Sequence, residues 1–259
     1  AGTAKIAVVG KYTDHIDSYK SIQESLIHGG IANDVKADIH WLSSEVFDNG
    51  EGVEKLKEYD GLLIPGGFGP RGVEGMLETI RWARENQMPF FGICLGLQCA
   101  VIEFARNVCG LEGSHSSEFA EASPDPVICL LDSQLQVTTM GGTMRLGAYP
   151  CALGEGTKAR EIYGVDEISE RHRHRFEVNN EYRDLLTDNG MTISGTSPDG
   201  GLVEMIELTE HPWFVAGQFH PELKSRPTRP HPLFASFVGA AAAYARNQPA
   251  KPAAEPASV

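Results

Sequence analysis

Residues 90–96 read Phe90-Phe91-Gly92-Ile93-Cys94-Leu95-Gly96 (FFGICLG). The apolar run over 90–94 has the character of a strand buried on both faces. A helical pattern follows at once and continues over 95–108. A strand that turns directly into a helix, with glycine on either side of a nucleophile, is the G-x-S-x-G elbow with cysteine in place of serine. The glycines are required because the turn brings two backbones close together. The turn exposes the sulfur at the positive end of a helix, which favours the thiolate. A free cysteine is more often a small buried hydrophobe. The two glycines and the strand–helix junction are what argue for a nucleophile at Cys94.

Working outward, residues 5–10 (KIAVVG), 38–42 (DIHWL) and 61–65 (GLLIP) read as further strands. Asp17 or Ser18 can cap a helix on which Tyr19, Ile22, Leu26 and Ile27 recur at helical spacing, with Gly29-Gly30 ending it. Residues 53–59 suit a short helix, and 73–87 a longer one with Met76, Leu77, Ile80 and Ala83 on one face. This alternation indicates βαβ units and a parallel sheet covered on both faces. Downstream, strands are expected at 127–131, 144–153, 176–179, 202–208 and 213–219, with few helices between them. That half reads as an antiparallel extension of the same sheet, closed by an alanine-rich helix over 232–246. The fold class is therefore α/β: a flavodoxin-like three-layer sandwich whose central sheet is mostly parallel with an antiparallel extension. Residues 1–246 form one domain. Residues 247–259 (NQPAKPAAEPASV) carry no large apolar side chain and are expected to be a disordered tail.

Bulk properties narrow the function classes. The chain has 259 residues, 41% hydrophobic and 22% charged, within the ordinary range of globular proteins. No apolar run is long enough to span a bilayer. Residues 1–11 lack the basic start and apolar middle of a signal peptide, so a cytoplasmic location is expected. A net charge of −13 argues against nucleic acid as a partner. The cluster Arg171-His172-Arg173-His174-Arg175 is too short to overturn that. Five cysteines without a Cys-x-x-Cys pair support neither a disulfide framework nor a zinc knuckle. His172 and His174 have strand spacing, but no carboxylate or cysteine motif completes a metal site. Residues 140–144 are expected to form a turn.

The remaining chemistry lies in two short stretches. Phe219-His220-Pro221-Glu222 ends an apolar strand, and residues two apart in extended chain point to one side. His220 and Glu222 can then face one site at the carboxyl end of the sheet, where open α/β sheets place their ligands. A thiol nucleophile needs a base, and the base needs a group to fix its orientation. Cys94, His220 and Glu222 fill those roles. In Pro65-Gly66-Gly67-Phe68-Gly69, just after a strand, backbone N–H groups can face a developing oxyanion. Gly67 supplies one such donor and Leu95, after the nucleophile, the other. A phosphate loop competes for this reading, but no G-x-x-x-x-G-K-[ST] exists, and Gly10-Lys11 is followed by Tyr12 without the upstream glycine.

PGGFG, GICLGLQ and FHPE, in that order, resemble the three signatures of the class I (triad) glutamine amidotransferases, over about residues 5–247. Within that class, VGKYTDHIDSYKSIQESLIHGG, PGGFGPRGVEGM, SSEF, TMRLG and above all RHRHRFEVNN are similar to the glutaminase domains of CTP synthases. The resemblance implies hydrolysis of L-glutamine to glutamate and ammonia, with the ammonia serving ATP-dependent amination of UTP to CTP. It implies that Gly67 and Gln98 contact the substrate, while Glu118 holds its α-amino group and Arg175 its α-carboxylate. A guanidinium suits that last task because it grips a carboxylate through two hydrogen bonds. Phe68 and Arg71 would belong to a lid loop near a GTP activator site. No cofactor is implied for this domain. ATP and Mg belong to an amidoligase domain outside these 259 residues, on the same polypeptide or a separate one. The partners implied are L-glutamine and that amidoligase domain, with the glutaminase domain alone a monomer. Three rivals stand beside this reading: a γ-glutamyl hydrolase-type peptidase, an amidotransferase serving a different synthase, against which RHRHRFEVNN counts, and a non-catalytic relative that senses glutamine or GTP.

Overall fold

The computed structural model describes residues 2–12, 16–130 and 144–248. Most of the expected tail, and all of the expected 140–144 turn but Met144, lie outside the described residues.

Strand β1 (Gly2–Gly10) pairs in parallel with β2 (Val35–Ser43) on one side and β3 (Gly61–Ile64) on the other. Beyond β3, β4 (Phe90–Ile93) and then β12 (Phe214–Gly217) continue the parallel part. Along these strands side chains alternate between two apolar layers. Ala7, Val9, Leu62, Ile64, Phe90, Phe214 and Ala216 enter one core. Ile6, Val8, Leu63, Phe91, Ile93 and Val215 enter the other. Helices α2 (Val73–Glu85) and α3 (Leu95–Asn107) cover the first, while α1 (Lys20–Ala32) and a C-terminal helix, Pro232–Asn247, cover the second. Burial on both faces explains why these strands read as unbroken apolar runs. The result is the three-layer α/β sandwich expected.

The sheet then turns antiparallel through β11 (Val203–Leu208), β10 (Met191–Thr196), β7 (Arg145–Leu153) and β8 (Glu167–His174), giving nine strands among the described residues in the order β2-β1-β3-β4-β12-β11-β10-β7-β8. Two expected extension strands belong elsewhere. β6 (Asp125–Cys129) and β9 (Glu177–Val178) form a separate three-stranded sheet with β5 (Ser114–Ser116). Val127, Ile128 and Val178 pack into the core beside α3, so their short apolar runs are satisfied without joining the main sheet.

The helix end expected at Gly29-Gly30 is also displaced, since α1 runs through both glycines to Ala32. A Cβ on Gly29 would lie 2.6 Å from the Phe234 carbonyl oxygen, and one on Gly30 would lie 2.7 Å from that of Val35. These glycines permit close packing against the C-terminal helix and β2 rather than a stop. No side chain caps the helix, which a 3-10 turn over Ile16–Tyr19 leads into.

Candidate active site

Strands β1, β3, β4 and β12 run parallel, so their carboxyl ends and following loops share one edge. Cys94 stands between β4 and α3 with φ +53° and ψ −99°. That conformation is strained for a residue with a Cβ and clusters at functional sites. The surroundings enforce it. The Cys94 N–H donates to the Gly217 carbonyl at 2.8 Å, and a Cβ on Gly92 would lie 2.8 Å from the Gly96 carbonyl. The thiol is almost buried. Its Sγ donates to the Arg173 carbonyl at 3.9 Å and accepts from Gln218 Nε2 at 3.7 Å. Burial pushes the thiols of Cys99 and Cys151 up to about 12, which leaves them inert at neutral pH.

His220 follows β12, and its N–H donates to the Arg171 carbonyl of β8 at 2.7 Å. Its Nδ1 meets Glu222 Oε1 at 2.7 Å. A Cβ on Gly66 would lie 2.8 Å from His220 Cε1 and 3.6 Å from Cys94 Cβ, so the imidazole and the cysteine crowd the same glycine. The Nε2 atom is buried and makes no hydrogen bond among the described residues. Burial works against a charged ring, but the Cys94 sulfur and the Glu222 carboxylate outweigh it and raise the pKa to about 10. An imidazolium beside the thiol is thereby favoured at neutral pH. Bonds between nucleophile and base are often left open until substrate binds.

Gly67 and Leu95 are neighbours, since a Cβ on Gly67 would lie 3.2 Å from Leu95 Cδ2. The first N–H groups of a helix have no helical acceptor, which leaves the Leu95 N–H for another partner. Cys94 and Gly67 line a cavity of about 360 Å³ together with Phe68, Gln98, Glu118 and Arg175. Gln98 is fixed by its amide, which donates to the Phe176 carbonyl at 2.9 Å and to Gln218 Oε1 at 3.3 Å. Glu118 accepts the Gly69 N–H at 3.3 Å, and burial raises its carboxyl above the usual range. Arg175 Nε is buried with no hydrogen-bond partner among the described residues. A carboxylate and a guanidinium thus face the same space as the thiol. Cys94 and His220 also line a second cavity of about 320 Å³, on the side of Tyr12, Tyr19 and Leu223.

Arg71 departs from this set. It lines neither cavity, and its guanidinium donates to Glu45 Oε2 at 3.2 Å and to the Lys11 carbonyl at 2.7 Å. Phe68, on the same loop, is half exposed, with Arg173 over its ring at 5.8 Å. Sequence reasoning missed Gln218, which bonds both the thiol and Gln98. Its position two residues before His220 is a weak signal only, because β12 ends at Gly217 and the chain bends at Gln218 and Phe219.

Each of the two histidines meets a carboxylate. His172 Nε2 meets Glu204 at 2.7 Å and His174 Nε2 meets Glu177 at 2.7 Å, with Arg145 bonded to both glutamates. Glu204 arrives from β11, which no local motif reveals, whereas Glu177 of β9 lies only three residues after His174. Arg145 makes the cluster a buried ion network, and no metal-binding group of three or more ligands occurs among the described residues.

A family model for the class-I glutamine amidotransferases matches residues 14–240. A CTP synthase of Clostridium perfringens is 60% identical over 239 residues, covering 92% of this chain and 45% of the relative. A CTP synthase of Geobacillus kaustophilus is 58% identical over 238 residues, with the same coverage of each. The chain therefore spans about half the length of the curated relatives it matches. Among solved structures, the glutaminase domain of Trypanosoma brucei CTPS with bound acivicin superposes with a TM-score of 0.88 at 38% identity, covering 93% of this chain and 94% of that one.

Proposed function

This chain belongs to the class I glutamine amidotransferases and, within them, to the glutaminase domains of CTP synthases, and we propose that it hydrolyses L-glutamine through a Cys94–His220–Glu222 triad. The observation that carries the reading is Cys94 held at a positive φ on the strand–helix turn, beside a histidine whose Nδ1 is committed to Glu222 and whose Nε2 is unbonded. The Cys94 thiolate attacks the side-chain amide carbonyl of glutamine. The N–H groups of Gly67 and Leu95 receive the oxyanion. His220, protonated and oriented by Glu222, delivers its proton to the departing nitrogen, and ammonia leaves a γ-glutamyl thioester. Neutral His220 then takes a proton from water, the hydroxide adds to the thioester, and glutamate is released with thiolate and imidazolium restored.

Glu118 and Arg175, on one cavity with the thiol, suit the α-ammonium and α-carboxylate of the amino acid, and Gln98 its amide end. The ammonia feeds amination of UTP in an ATP- and Mg-dependent amidoligase domain, the partner that the CTP synthase relatives suggest. GTP acts as activator through the exposed loop of Phe68 and Arg71, and no cofactor works in this domain. The domain is cytoplasmic and alone is a monomer, which light scattering after gel filtration would check. No described helix is long and apolar enough to cross a membrane.

The test is glutamate release from glutamine by the purified chain, with and without GTP, using Cys94→Ala as the blank. Release that GTP stimulates and the substitution abolishes is expected. Release that survives Cys94→Ala would overturn the nucleophile, and faster cleavage of γ-linked glutamyl peptides than of glutamine would overturn the substrate.

A further inference from the structure

Gly10-Lys11-Tyr12 lacks the pattern of a phosphate loop, yet Lys11 is only 5% exposed. A buried ammonium is costly unless its donors are satisfied. It sits at the carboxyl end of β1, beneath the glycine-rich loop of residues 65–71. Its Nζ donates to the Phe68 carbonyl at 3.3 Å and to the Gly69 carbonyl. Its stem passes under Gly67, where a Cβ would lie 3.5 and 3.7 Å from Lys11 Cδ and Cε. The Phe119 ring centroid lies 5.3 Å from the ammonium.

The lysine is itself pinned. Its N–H donates to the Tyr19 hydroxyl at 3.1 Å, and its carbonyl accepts from Arg71 at 2.7 Å. On the loop's other flank the Gly69 N–H donates to Glu118, so the residue is held through both its N–H and its carbonyl. On the outer side no described residue comes within 4 Å of a Cβ placed on Gly69. The place of the loop is therefore set from within.

We infer that Lys11 is a positioning residue: its ammonium holds the Phe68 and Gly69 carbonyls and so aims the Gly67 N–H at the oxyanion. This rests on the oxyanion role proposed above for Gly67. Lys11 lines neither cavity at Cys94, so it acts through the loop and not on the substrate. Packing alone would be served by a methionine of similar length. What the ammonium adds is two donors aimed at backbone carbonyls. Burial holds its pKa below the usual lysine value, in keeping with an enclosed cation.

The test compares two reagents at Cys94, read by peptide mass spectrometry. A chloroketone analogue of glutamine adds sulfur to a carbonyl and develops an oxyanion. Iodoacetamide alkylates the sulfur by direct displacement of iodide and develops none. In Lys11→Met the chloroketone-to-iodoacetamide rate ratio should fall about 10- to 100-fold, the effect of a misplaced oxyanion donor, while the iodoacetamide rate holds. Lys11→Gln is too short to reach both carbonyls and should show the same fall if the methionine variant does not fold. An unchanged ratio in whichever variant folds, or a parallel fall in both rates, would overturn the inference. A wild-type Cys94 with no preference for the chloroketone would instead overturn the oxyanion role of Gly67 and Leu95.

Discussion

Gly96→Ala separates two effects of opposite sign. Gly96 is the second residue of α3, where alanine propensity alone would add up to about 1 kcal/mol of stability. The elbow opposes that gain. A Cβ at this position would lie 2.3 Å from the Ile64 carbonyl oxygen and 3.1 Å from Ile64 Cβ. Ordinary contact requires separation by roughly 1 Å more, and both obstacles belong to β3, locked in register against β4. Overpacking of this kind costs about 1–3 kcal/mol, so a net loss near 2 kcal/mol is expected at the upper end after the propensity gain. In a chain of this size that corresponds to a fall in Tm of about 4–8 °C by calorimetry. The displaced helix start should also slow alkylation of Cys94 by iodoacetamide. A Tm unchanged or raised would show that helix propensity governs the position and that the strand–helix approach does not require glycine.

Three further outcomes follow from charge and burial. Glu103 is fully buried and gripped by Arg84 through three hydrogen bonds, so Arg84→Met should cost about 3–5 kcal/mol in urea unfolding, with Glu103→Gln in the same chain recovering most of it. His211 is buried against the Ala83 carbonyl and its pKa falls to about 4, below the ordinary 6.5. Its contribution is complete above pH 6.5 and is lost as pH falls through 4, a loss of about 3 kcal/mol that His211→Asn should remove from the pH profile of unfolding. For His220 the sign reverses: the pKa is raised to about 10, so its contribution is complete below pH 6.5 and lost as pH rises through 10. Glu222→Gln should move the His220 NMR titration downward by about one unit or more, and an unmoved titration would show that the carboxylate does not hold the proton.

The elbow was legible because it is local. A strand, a glycine, a nucleophile, a glycine and a helix lie within a few residues, and burial on both faces makes the parallel strands unbroken apolar runs. Legibility faded where side chains face two environments. β8 alternates exposed arginines with buried histidines, and β10 is half polar with a bulge at Gly195, so neither stands out as a core strand. Short runs at β6 and β9 announced strands without saying which sheet they join. Gly29 and Gly30 read as a stop because nothing local shows the backbone they pack against. Glu118 and Arg175 came from family resemblance, and only the tertiary fold sets them on one cavity with Cys94. The ion network of Arg145, Glu177 and Glu204 joins strands distant in sequence, beyond the reach of any spacing rule.

Peptide mass spectrometry of the intact chain after exposure to the glutamine-analogue chloroketone tests the central claim most directly. A single adduct on Cys94, slowed by added L-glutamine, with the other four cysteines unmodified, is the predicted result. Labelling spread over several cysteines, or a Cys94 that glutamine does not protect, would contradict a glutamine-directed nucleophile at the elbow.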